Sequence, residues 1–153
     1  MPESIKALEF VYDWVKNLYE KRKENNFEDS MKKPLFEGEQ TAIDVFMHSI
    51  SLLYWGSKKI TNPEADNKEI SISLDPESKE PLHEQLLGMF KKAIDAFAEF
   101  RNSIKVEDLN NKFKTPFGRE MTYEDWFGFN IHHCIGHMYQ SLRLQAIYLR
   151  QKK

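Results

Sequence analysis

One cysteine in a chain of 153 residues leaves no internal disulfide to form, so stability has to come from a packed core. The lone thiol fits a reducing compartment, and a cytoplasmic location is expected. No stretch approaches the ~20 consecutive apolar residues of a membrane-spanning helix, so no membrane association is expected. The opening MPESIKALEF lacks a basic stretch, an unbroken apolar run and a small-residue cleavage site, so no secretory signal is expected. A surplus of one charge is missing too: 22 basic and 24 acidic residues are mixed along the chain, for a net charge of −2. Without a basic stripe to neutralise phosphates, nucleic acid is not an expected partner. No repeat, low-complexity tract or interdomain linker is visible, and residues 1–153 read as a single domain.

What is present is helical periodicity. A first helix is expected over about residues 4–23, with Leu8, Val11, Tyr12, Val15, Leu18 and Tyr19 at helical spacing and Ser4 as N-cap. A second is expected over about 38–59, with Ile43, Phe46, Met47, Ile50 and Leu53 as its main stripe. Beside that stripe runs the row Val45, His48, Leu52 and Trp55, which aims His48 at the interior or its edge. Residues 61–80 are polar and turn-rich, and the alternation of Ile70, Ile72 and Leu74 reads as a short extended piece or as a loop anchored on the core. Pro81 opens a third amphipathic helix to about 104, through Leu82, Leu86, Phe90, Ile94, Phe97 and Ile104. TPFGRE has the Pro and Gly of a turn, and Thr122 with Asp125 resembles a capping box. The fourth helix, about 123–150, carries Phe127, Ile131, Ile135, Met138 and Leu142 as one stripe, with Trp126, Phe129 and Leu144 elsewhere, so it is expected to be largely buried. The fold class is all-α: a four-helix bundle with long crossover connections.

His133 and His137 stand four residues apart on that last helix. At 100° per residue the two rings fall nearly in line, one turn apart, which is how a helix offers two nitrogens to one metal ion. His48 supplies a third imidazole from the second helix. With no obvious carboxylate or thiolate as fourth ligand, such a site has open positions, the mark of a catalytic or ligand-binding ion. Nitrogen ligation suits zinc, nickel, iron or cobalt. The alternative is that these histidines are hydrogen-bonded core residues. His132 is turned away from the pair and belongs to the surface, Cys134 reads as a buried inert thiol, and His83 sits at a helix start where a site role is not expected. Cys134 occupies the position at which HExxH carries its glutamate, so the segment is no zincin motif, and no Ser or Cys triad is readable. Trp55 shares the row of His48 and is the candidate pocket wall.

The segment TPFGREMTYEDWFGFNIHHCIGHMYQSLRLQ, the His48 helix and the chain length together resemble the DinB-like superfamily of bacillithiol S-transferases and mycothiol-dependent isomerases. The residues that carry the resemblance are Phe117-Gly118, Met121-Thr122-Tyr123, and His133, His137 and Gln140 as H-x-x-x-H-x-x-Q, with His48 matching the family's second-helix ligand. The family's H-R-G-Q ending is His137-Met138-Tyr139-Gln140 here, without its Arg and Gly. The resemblance implies a divalent ion, usually zinc or nickel, held by His48, His133 and His137, and frequent homodimers. It also implies an S-transferase that joins a low-molecular-weight thiol to a small electrophilic substrate, with Gln140 supporting a ligand or touching substrate. No residue is singled out as catalytic. A non-catalytic metal-binding bundle and a metal-dependent hydrolase are the alternatives; the hydrolase needs a proton shuttle for which no carboxylate is evident.

Overall fold

A computed structural model of the chain describes residues 2–152. Four long helices, α1 (Glu3–Arg22), α3 (Ala42–Thr61), α4 (Leu82–Ser103) and α5 (Tyr123–Gln151), are joined by a short helix α2 (Phe27–Lys32), a 3-10 turn (Val106–Asp108) and a hairpin of β1 (Lys112–Lys114) and β2 (Glu120–Thr122). The long helices close a ring: α1 packs on α4, α4 on α3, α3 on α5 and α5 back on α1. None of the described helices is long and apolar enough to cross a membrane.

Helix ends follow local chemistry. Thr41 and Asp44 form a reciprocal capping box, which delays the start of α3 to Ala42 rather than residue 38. Gly38, at φ +81°, takes the left-handed turn before it. Thr122 caps α5 by accepting from the Asp125 amide at 3.1 Å. Ser4 is no N-cap: α1 begins one residue earlier, after Pro2, and the Ser4 hydroxyl is buried without a partner. The periodicity gave no sign of α2, whose six residues are too few to show it. The turn TPFGRE joins the two strands of a hairpin, which pairs Lys112 with Thr122 and Lys114 with Glu120, while Gly118 at φ +79° closes it. Ile70 is buried and Ile72 and Leu74 pack on the core, but the segment stays a loop.

The buried face of α5 departs from the expected stripe. Phe127, Asn130, Cys134, Met138, Ser141, Leu142 and Gln145 are buried, whereas Ile131 and Ile135 are only half-buried. Hydropathy hides this face because four of its members are small or polar. Their hydrogen bonds make burial tolerable: Asn130 donates to the Trp126 carbonyl at 2.8 Å, Ser141 to the Ala42 carbonyl at 2.6 Å, and Gln145 donates to Ser30 while accepting from Arg22. Slender side chains also let α3 and α5 approach closely. A Cβ added at Gly56 would come within 3.0 Å of the buried Trp126 ring.

Candidate metal centre

Two hydroxyls stitch α3 to α5 and set their register. Ser49 Oγ donates to the Cys134 carbonyl at 2.8 Å, and Ser141 Oγ reaches Ala42 from one turn beyond His137. In that register His48 on α3 meets the histidine row of α5. The ring centroids of His48, His133 and His137 form a nearly equilateral triangle with sides of 4.7, 4.6 and 4.6 Å. One ligand atom from each lies within 4.8 Å of the others, and the Nε2 atoms of His48 and His133 face each other at 3.0 Å. Two nitrogens each ~2.0–2.1 Å from one tetrahedral ion would stand about 3.3 Å apart, so the closest pair, now at hydrogen-bond distance, lies within a few tenths of an ångström of ligand spacing.

His137 is oriented from behind. Its Nδ1 lies 3.0 Å from Gln140 Oε1, and an amide oxygen only accepts, so this contact is made by an Nδ1–H and leaves Nε2 as the nitrogen available to an ion. His133 lacks that support, since its Nδ1 is buried and unbonded. Burial first, then the neighbouring His137 and His48, push the His133 imidazole down to about 4, which leaves it neutral and ligand-ready at neutral pH. Donor type and spacing therefore fit one divalent ion.

The cluster opens at the surface. His48 is exposed, while His133 and His137 are half-buried; of the row Val45, His48, Leu52 and Trp55 only Val45 is fully buried, with Leu52 and Trp55 half-buried. The reason is the 100° step: Ser49, next along, takes the buried position between α3 and α5 and turns His48 to their edge. Cys134 is fully buried, with its thiol toward Ser49, and burial raises it to about 11. His132 is exposed, and His83 meets the edge of Phe27 beside a cleft of about 590 Å³, apart from the three histidines.

Around the cluster, Met138 fills the core and the exposed Tyr139 packs on Trp14 at 4.8 Å, so the two positions where the resembled family has Arg and Gly serve packing here. The Trp55 indole N–H donates to Asn67 Oδ1 at 3.1 Å and its ring meets Phe117 at 5.7 Å. Phe129, one turn before His133 and so at a spacing visible in the sequence, stands 5.9 Å from that ring. Phe117, in the turn that TPFGRE announces, packs on Trp126 at 6.1 Å.

No protein-family model matches the chain, and no curated protein or solved structure matches it either. The chain is a mostly helical protein in which three histidines converge in a group that could hold a divalent metal ion.

Proposed function

We propose that this protein is a divalent-metal enzyme of the DinB-like kind, joining a low-molecular-weight thiol to a small electrophile. The observation that carries the reading is the imidazole triangle with His137 held from behind by Gln140. His48, His133 and His137 would hold the ion, with zinc or nickel suited to the nitrogen donors. When bound, such an ion supplies Lewis acidity that lowers the pKa of a coordinated thiol or water towards neutrality. Gln140 keeps the His137 lone pair directed at the site. The neutral state of His133 avoids competition between proton and ligand near pH 7. The exposed edge at His48 admits small molecules and lets solvent accept a released proton.

Two observations weigh against the alternatives. A purely structural ion would clip α3 to α5, yet Ser49 and Ser141 already tie these helices without it. Hydrolysis calls for a carboxylate shuttle, and among the described residues no carboxylate joins the histidine group.

The test is metal content, measured on untagged protein for wild type and for His48→Ala, His133→Ala and His137→Ala, followed by thiol consumption with a panel of electrophiles. Stoichiometric metal, lost in each variant while helicity and cooperative unfolding persist, is the expected result. A folded wild type that takes up no zinc or nickel under replete conditions would sink the reading.

A further inference from the structure

From His133 a succession of neighbouring aromatic rings leads to Trp55. Phe129 stands 5.9 Å from His133, Trp126 5.9 Å from Phe129, Phe117 6.1 Å from Trp126 and Trp55 5.7 Å from Phe117. Phe129 is 41 % exposed and Phe117 60 %, while Trp126, the neighbour of both, is buried. Two of the four rings are fixed in advance, and the other two ride on ordered backbone. Trp55 is tethered to Asn67, Trp126 is wedged against Gly56, Phe117 sits on the hairpin turn closed by Gly118, and Phe129 rides on the same helix as two of the histidines. A preorganised aromatic surface binds a flat partner without spending much of the gain on side-chain ordering.

We propose that this track is the subsite for a planar aromatic group of the substrate, whose other end sits at the histidine triangle; the assignment rests on the metal-site reading above. Area decides the class of occupant. The exposed rings offer roughly 200 Å², far below the ~800 Å² that each partner buries in a stable protein complex. That is enough for a fused-ring small molecule and too little for a second copy of the chain. The track ends at His133, so a flat body lying along it brings its head group to the three nitrogens.

The test compares two chelating probes on zinc-loaded protein by calorimetry: acetohydroxamate, a head group alone, and 2-naphthohydroxamate, the same head with a fused aromatic ring. The expected result is roughly tenfold tighter binding of the naphthyl probe, with the advantage lost in Phe129→Ala and reduced in Phe117→Ala while acetohydroxamate affinity stays unchanged. Equal affinity of the two probes, or a naphthyl advantage that survives both substitutions, overturns the track. If neither hydroxamate needs the metal, the metal reading fails separately, and 2-naphthol on metal-free protein decides the track alone. Saturable quenching of tryptophan emission that disappears in Phe129→Ala supports it, and no saturable quenching overturns it. A wild-type dimer in sedimentation that Phe129→Ala converts to monomer also overturns it, because the track would then be covered by protein. Circular dichroism and a cooperative melt verify that each variant is folded.

Discussion

The hydroxyl of Ser49 donates to the backbone carbonyl of Cys134 at 2.8 Å, and each of these residues directly follows one of the two histidines whose Nε2 atoms face each other, His48 and His133. A buried side-chain bond thus fixes which turn of α3 meets which turn of α5. Ser49→Ala should destabilise the protein by about 1 kcal/mol, the net worth of one hydrogen bond. It should also weaken zinc binding severalfold, because the register of the two helices loosens. Urea unfolding gives the first quantity and competition with a chromogenic chelator the second. Unchanged zinc affinity in a destabilised variant would show that Ser49 serves packing alone.

Gln140 offers a cleaner separation of metal binding from folding, since it is exposed and its amide accepts from His137. Gln140→Leu should lower metal affinity by about 10–100-fold, the usual cost of losing a ligand's supporting acceptor. Gln140→Glu should retain or strengthen it, because a carboxylate accepts the same proton. Metal-free melting temperatures should barely move in either variant. Equal affinities for Leu and Glu would remove Gln140 from the site.

Cys134 should be silent towards thiol reagents in the native protein. It is fully buried, and burial raises its pKa from the ordinary 9.0 to about 11. Because the folded value lies above the unfolded one, the thiol's contribution to stability is complete below pH 9 and declines as pH rises towards about 11. Labelling by a disulfide reagent at pH 8 should therefore appear only with global unfolding in urea. Cys134→Ser should flatten the alkaline fall in stability. Rapid labelling of the native state would contradict the buried placement.

At Gly56, Gly→Ala sets two effects against each other. Alanine favours the helix by somewhat under about 1 kcal/mol, but its methyl carbon would lie 3.0 Å from the ring of Trp126. That ring is 1 % exposed, with little room to retreat. Overpacking should win, with a net loss of about 1–3 kcal/mol, and tryptophan emission should change as the indole shifts. A more stable variant would mean that α3 and α5 separate at little cost.

Much of this protein is determined by local sequence. The long helices follow from 3.6-residue periodicity, and Thr122 announces the start of α5 through its own hydroxyl. The alignment of His133 with His137 follows from helical pitch alone. Short elements were illegible for lack of length: α2 has six residues and each hairpin strand three. Tertiary structure decided the rest. Whether His48 faces the core or its edge depended on which residues of α3 the close approach of α5 would bury, and Ser49 took that position because a carbonyl was there to accept its proton. The buried face of α5 was likewise set by partners from other elements, which made Ser141 and Gln145 cheaper to bury than their hydropathy suggests. The aromatic track draws its rings from α3, the hairpin and α5, so only folding could bring them into line with the histidines. Spacing within one helix is a property of the chain, whereas the meeting of side chains from different elements is a property of how they pack.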